Sequence, residues 1–337
     1  MSILLSGLVK RFAGVAALDG VALSVPSGAF CVVLGPSGCG KSTLLRLIAG
    51  LETADAGEIA LEGRPVSAPG LHTPPEARGV AVVFQSYALW PHMSVADNVA
   101  FPLRVAGLRG AALRREAARH IDTVSLGALA DRRPAELSGG QRQRVALARC
   151  LASGARTVLM DEPLANLDPH LRQRMEGELA AFHAACGATT LYITHDQREA
   201  MALADIVAVM QEGRLLQVGP PEEVYARPAC AAVARFIGRG AIVEGVRAGG
   251  EARFGPLGVA APGADGPLRG LLRPSDIRLD AQGAPGVVAA VTYRGGHYEA
   301  QLTVEGLAVS LEAETAIRPT VGERVGVRLT GVWPLPL

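Results

Sequence analysis

Lysine is almost missing from this chain: Lys10 and Lys41 stand alone among 33 basic residues, the rest arginine. Aromatic residues make up only 4% of it. Neither charge sign prevails, since 33 basic residues meet 32 acidic ones for a net charge of +1. That balance excludes an overall basic field for nucleic acid and an acidic tail. The five cysteines show no paired spacing, which argues against a zinc framework or a disulfide scaffold and fits a reduced, cytosolic compartment. No apolar run reaches the roughly 20 residues a membrane helix needs. The longest charge-free stretch, Val21 to Gly40, is broken by Pro26, Pro36 and several glycines. Met1 to Lys10 has no basic stretch ahead of an apolar core, so no signal peptide is expected.

What is present is apolar and arranged. Of 337 residues, 49% are hydrophobic, enough for a full core and a length that suggests two domains. Phe30–Leu34, Thr157–Met160, Thr190–Thr194 and Ile206–Met210 are short apolar runs of the kind that form buried parallel strands. Helical patterns separate them, so the first part is expected to be an α/β domain with an open, mostly parallel sheet. Ligands of such sheets bind at the carboxyl ends of the strands. Between Gln85 and Ser138 the pattern turns helical, with Leu113, Ala117, Ile121 and Val124 on one face of Leu113–Leu126. A helical insertion over about 86–157 follows from this. Near Phe236 to Ala241 long helical patterns fade. Val287–Thr292 and Ala300–Val304 read as strands, with Arg294-Gly295-Gly296-His297 as a tight turn. The expected domains are 1–236, α/β, and 237–337, a small all-β barrel or sandwich.

Gly35-Pro36-Ser37-Gly38-Cys39-Gly40-Lys41-Ser42-Thr43 matches G-x-x-x-x-G-K-[ST] between a strand and a helix, the context a phosphate-binding loop requires. Its glycines let backbone N–H groups approach phosphates, and the helix N-terminus adds free donors and a favourable dipole. Lys41 is expected at the β- and γ-phosphates, where a compact ammonium does better than arginine's flat fork. Ser42 is expected on Mg²⁺. Asp161 and Glu162 end an apolar strand; beside a phosphate loop, Asp161 has the task of holding Mg²⁺ and Glu162 that of general base toward water. Leu137-Ser138-Gly139-Gly140-Gln141 opens another helix, with Ser138 as N-cap and Val145, Ala148 and Leu151 on one face. Alone, such a turn is an ordinary capped helix. As a second anion-binding terminus in one domain, it calls for a second nucleotide, which a symmetric pair of chains supplies.

In this order the motifs resemble the ATP-binding subunit of an ABC transporter over about residues 4–236. Leu137–Gln141 matches that family's signature. The resemblance implies further that Gln85, in Val83-Phe84-Gln85-Ser86-Tyr87, is the Q-loop residue sensing Mg²⁺ and the γ-phosphate. It implies that His195 is the switch histidine on the γ-phosphate, and that Leu164-Ala165-Asn166-Leu167-Asp168 is the D-loop at a dimer interface. Phe12 is the candidate for stacking on adenine, where the family often has tyrosine; only a ring face is needed. Ala165 stands where relatives often carry serine. The tail, through Leu272–Ile277 and Tyr293–Tyr298, resembles the TOBE domain of importer ATPases, serving dimer support or regulation.

The resemblance thus implies an ATPase with ATP and Mg²⁺ as its cofactors, working as a head-to-tail dimer. Its partners would be integral membrane permease subunits and, indirectly, an extracytoplasmic substrate-binding protein, with no nucleic acid. Its place would be the cytoplasmic face of the bacterial inner membrane. Likeness to ferric iron and polyamine importers points to those cargoes. The alternative is a soluble ABC-class ATPase acting on nucleic acid or ribosomes, which the missing heptad run and the single phosphate loop disfavour. A protein that binds ATP without turnover is disfavoured by Glu162 and His195. Cys39, inside the phosphate loop, is an expected site of inhibitory oxidation.

Overall fold

The computed structural model describes the whole chain apart from Asn166 and the side chain of Pro169. It forms two compact units, residues 1–221 and 222–337. In chain order the first holds β1 (Ile3–Phe12), β2 (Val15–Val25), β3 (Phe30–Leu34), α1 (Lys41–Ala49), β4 (Ala56–Leu61), β5 (Arg64–Ala68), β6 (Leu71–His72), β7 (Val80–Val83), α2 (Val95–Val105), α3 (Gly110–Thr123), α4 (Gly139–Ser153), β8 (Thr157–Asp161), α5 (Pro169–Cys186), β9 (Thr189–Thr194), α6 (Gln197–Leu203), β10 (Ile206–Gln211) and β11 (Arg214–Gly219).

The central sheet has the order β11-β10-β3-β9-β8-β7. All its pairs are parallel except β10–β11. Every residue of β3 is buried, as expected of a strand covered on both faces, and each large aliphatic side chain there contributes roughly 1.5–3 kcal/mol by leaving water. The register matters more for function. Leu34 pairs with Thr194, Asp161 with Ile193 and Val83 with Met160. Four neighbouring strands therefore end at nearly one level, and the segments that follow them emerge side by side.

A second, antiparallel sheet, β2-β1-β4-β5-β6, shares a core with α1. Ile3, Leu5, Leu8 and Leu23 join Leu44, Leu45 and Ile48 there, with Cys31 and Val33 of β3. The helical insertion has its own core, built by Val95, Val99 and Leu103 of α2, Ala117 and Ile121 of α3, and Val145 and Ala148 of α4. Ala152, rather than the expected Leu151, completes the α4 face of this cluster; one further residue along is four from Ala148, which a 3.6-residue period brings back into line.

The second unit continues with α7 (Pro221–Ala226), α8 (Ala231–Phe236), β12 (Ala241–Ala248), β13 (Glu251–Phe254), β14 (Leu257–Ala260), β15 (Gly266–Leu272), β16 (Ile277–Tyr293), β17 (Tyr298–Val304), β18 (Leu311–Thr315), β19 (Arg324–Leu329) and β20 (Trp333–Leu335). Its strands form two antiparallel sheets, β14-β13-β12-β15-β20 and β18-β17-β16-β19, around Phe254, Leu272, Ile277, Leu302 and Val327. The Arg294–His297 turn closes as the sequence suggests, with the Arg294 N–H donating to the His297 carbonyl at 3.0 Å. Division by packing falls at 221/222, ahead of the 236/237 boundary read from the sequence. The reason is that α7 and α8 belong with the strands. Ala234 is buried against Leu271 and Leu335, the buried Arg273 donates to the carbonyls of Tyr225, Ile237 and Arg239, and the Trp333 indole donates to the Pro228 carbonyl.

Candidate functional site

The phosphate loop follows β3, and its shape explains its glycines at two positions. A Cβ on Gly35 would lie 2.2 Å from the Met210 carbonyl oxygen. Gly40 has φ 109° and would place a Cβ 2.4 Å from the Ala17 carbonyl oxygen. Pro36, Ser37 and Gly38 form the exposed tip. Gly40 caps α1 without any side-chain hydrogen bond, so the first N–H groups of α1 point at the loop without a side-chain partner from the cap. Lys41 is buried to 5% exposure, and its ammonium donates to the carbonyls of Gly35 at 2.8 Å and Pro36 at 3.0 Å. Ser42 is exposed beside it, and Thr43 is half-buried. Cys39 is buried with its sulfur 3.9 Å from the Lys41 ammonium. Burial pushes its thiol above the ordinary range in spite of the lysine. That environment works against the oxidation expected from its position, because the thiolate is the reactive form.

The ends of β8 and β9 bring the acidic and switch residues to this loop. Ser42 Oγ donates to Asp161 Oδ1 at 3.3 Å. Burial, with the neighbouring Glu162 adding repulsion, raises the Asp161 carboxyl above its usual range. A carboxylate held at that cost beside a serine hydroxyl suits a cation. The pair fits Mg²⁺, which needs only one or two protein oxygens when phosphates and water supply the rest. Among the described residues no cluster of three or more His, Cys, Asp or Glu is placed to cage a metal, and such a site requires none.

Glu162 holds a left-handed backbone, φ 43°, at a cost on the order of 1–3 kcal/mol for a residue with a side chain. Its N–H donates to the Ile193 carbonyl at 3.0 Å. Its Oε2 lies 3.1 Å from His195 Nδ1. The bend after β8 thus turns Glu162 away from the strand and onto His195, which is half exposed at the end of β9.

The remaining motifs occupy separate places. Gln85 is exposed in the turn after β7. Phe12, at the end of β1, is 46% exposed, with the Lys10 ammonium 5.1 Å from its ring centre. Both lysines of the chain thus stand at expected nucleotide-site residues. Ser138 caps α4, accepting from the Gln141 N–H at 3.3 Å, while the Gln141 side chain accepts from the Ser138 N–H at 2.8 Å. This reciprocal capping box was not apparent from the serine alone. Asp168 caps α5 through the Leu171 N–H at 3.0 Å. Within the D-loop motif, Asn166 lies outside the described residues.

Two arginines stand out that sequence reasoning missed. Arg149 of α4 donates to the carbonyls of Tyr87 and Ala88 at 2.9 and 2.7 Å and lies over the Trp90 ring. Tyr87 and Ala88 have φ of 63° and 45°, so this clamp holds a strained bend just beyond Gln85. Arg172 of α5 reaches Asp196, next to His195, at 3.1 Å. In a chain so rich in arginine no local signal marks either one.

Comparison with known proteins agrees with this geometry. A family model described as ABC transporter matches residues 18–165, and a TOBE domain model matches 270–331. The sn-glycerol-3-phosphate import ATP-binding protein UgpC 1 of Rhizobium johnstonii is 42% identical over 341 residues, 96% of this chain and 90% of that protein. This chain belongs to the ABC transporter ATP-binding subunits. The Fe(3+) ions import ATP-binding protein FbpC of Streptomyces avermitilis is 45% identical over 334 residues, 97% of this chain and 95% of its own length. The ADP conformation of MJ1267, an ATP-binding cassette of an ABC transporter, superposes with a TM-score of 0.62 at 27% identity, covering 70% of this chain and 97% of that one. The ATP-binding subunit described here therefore joins a P-loop ATPase fold to an all-β TOBE domain.

Proposed function

We propose that this subunit hydrolyses ATP between two copies of itself and thereby drives an ABC importer. One observation carries the paired arrangement. Gly139 and Gly140 open α4, yet the chain's own packing does not demand them. Neither has a left-handed backbone, and a Cβ would meet only the ends of flexible side chains, Leu167 at 3.3 Å from Gly139, and Leu171 at 3.4 Å and the Met175 sulfur at 3.7 Å from Gly140. Glycine weakens a helix by up to about 1 kcal/mol relative to alanine. Two glycines so placed make sense if something outside the chain approaches the helix end closely, and a second copy's γ-phosphate fits.

The roles follow from position. Lys41 and the loop from Gly35 to Thr43 would hold the phosphates, and Phe12 would stack on adenine. Ser42, Asp161 and Gln85 would hold Mg²⁺, which when bound screens phosphate charge. Glu162 would take a proton from the attacking water, and His195, bonded to it, would contact the γ-phosphate. Ser138 to Gln141 and Asp168 would face the partner copy's nucleotide. No helix among the described residues is long and apolar enough to cross a membrane. The reading accordingly places the subunit on the cytoplasmic face of the bacterial inner membrane, docked on permease subunits served by an extracytoplasmic binding protein. For cargo we favour ferric ions or a polyamine. FbpC, named for Fe(3+) ions, supports the first.

The test is steady-state ATP hydrolysis by the full chain with Mg²⁺, together with its mass in solution with and without ATP. Turnover that rises steeply with protein concentration, and an ATP-dependent dimer, are expected. Turnover independent of concentration from a monomer would overturn the paired site.

A further inference from the structure

Beside His195 lies a partly buried polar network that the roles above leave unused. Its centre is Arg172, in the second turn of α5. Nη2 donates to the Leu167 carbonyl at 3.2 Å, within the segment 164–168. Nη1 donates to Asp196 Oδ2 at 3.1 Å. Nε points toward Glu199 Oε1 at 3.8 Å. Glu199 is 2% exposed, and its Oε2 accepts from the hydroxyls of Tyr192 at 2.7 Å and Thr194 at 2.6 Å. Thr194 Oγ1 in turn accepts from the Asp196 N–H at 3.0 Å. One guanidinium therefore grips the D-loop backbone on one side. On the other it holds Asp196 directly and faces, across 3.8 Å, Glu199, which accepts from Thr194 on the far side of His195.

We infer that Arg172 is a positioning residue that couples the placement of the Leu164–Asp168 loop to that of His195. Three features support a coupling over a plain structural ion pair. A guanidinium is a rigid fork, so a displacement of one partner is passed to the others. Its three partners come from two separate segments of the site, Leu167 ahead of α5 and Asp196 with Glu199 at the start of α6. And the fork is incompletely satisfied: Arg172 Nε is buried and has no hydrogen-bond partner among the described residues. Buried donors are nearly always paired. The 3.8 Å gap to Glu199 leaves one bond of the fork unmade, so the fork has room to shift with the Leu167 carbonyl. Asp196 also pairs with Arg198; burial would raise its carboxyl, but these arginines bring it below the ordinary range, so it stays a firm anionic anchor. The inference rests on the paired-ATPase reading for its consequence. A partner docked on 164–168 would act through Arg172 on His195, which already meets Glu162 in the lone chain, and turnover would start only in the closed dimer.

The test uses the full chain and three variants, Arg172→Lys, Arg172→Met and Asp196→Asn, each checked for cooperative melting. Lysine keeps the half-buried charge and so guards against loss of the fold. In both Arg172 variants kcat is expected to fall about tenfold or more, while KM and the affinity for a fluorescent ATP analogue stay within about twofold; a link lost from the chemical step alone behaves this way. Combining Arg172→Met with Asp196→Asn is expected to add nothing to the loss, since both cut one link. Independently of turnover, the imidazole ¹⁵N signals of His195 are expected to shift in Arg172→Met without nucleotide. A kcat within twofold of the parent in folded Arg172→Lys and Arg172→Met, or an additive double variant, would overturn the coupling. Unmoved His195 signals would overturn it as well. A parent chain without any turnover is a different failure, that of the ATPase reading, and the His195 signals still decide whether Arg172 positions the histidine.

Discussion

Single residues decide whether the phosphate loop and its neighbours are chemistry or scaffolding. Replacing Lys41 by alanine removes a charged donor of the kind worth roughly 1.5–3 kcal/mol, so ATP affinity is expected to fall on the order of tenfold to a hundredfold in equilibrium binding. Glu162→Gln keeps the size of the side chain but not its basicity. Turnover is expected to drop by about 100-fold or more, with an ATP-bound dimer accumulating by light scattering. Asp161 gives a signature in pH. A carboxyl raised by burial holds its proton more tightly folded than unfolded, so its ionised form weighs against folding at neutral pH, and the penalty vanishes below the ordinary carboxyl range. Asp161→Asn is expected to melt higher than the parent near neutral pH, with the gain shrinking toward acid. It is also expected to lose the rise in Tm that Mg²⁺ and ATP give the parent. Melting curves across pH, with and without ligand, check both. Lys41, Asp161, Glu162 and His195 were legible because short motifs beside apolar strands mark them. Arg149 and Arg172 were not, because each acts on backbone or carboxylates far along the chain and looks like any other arginine.

At the scale of elements, the helix opened by Ser138 separates two explanations of one serine. As a cap it is worth about 1 kcal/mol over alanine. Aspartate caps equally well but would face a partner's phosphate with negative charge. Ser138→Asp is therefore expected to melt like the parent and to lose ATP hydrolysis, whereas Ser138→Ala loses some of both. Equal activity in the aspartate variant would confine Ser138 to capping. The legible strands were those whose residues are all apolar and all buried, such as β3 and the centres of β8 and β9. The sheet of β1, β2 and β4 gave no comparable signal. Its strands alternate buried and exposed residues, and register shifts beside Leu5 and Leu8 break the period-two pattern. Helix α5 escaped notice for a related reason: arginine, histidine and alanine blur its faces.

For the whole molecule, the two units make a prediction about where the chain can be cut. Because α8 buries Ala234 against Leu271 and Leu335, a fragment ending at residue 236 carries an apolar helix without its cover. A fragment ending at 221 does not. The shorter one is expected to be monodisperse and to melt cooperatively, and the longer one to self-associate, as read by size-exclusion chromatography. The opposite ranking would favour the boundary suggested by the sequence, which was placed where helical patterns stop, although packing partners divide a chain earlier.

The bare opening of α4 also bears on protein engineering. For a lone chain, alanine at Gly140 meets only ordinary contacts and a better helix former strengthens the turn. A campaign that ranks variants of the isolated subunit by heat resistance would accept that change early. It would then harvest a sturdier protein whose paired engine had been quietly disabled, a trade-off visible only when fitness is scored on the assembled machine.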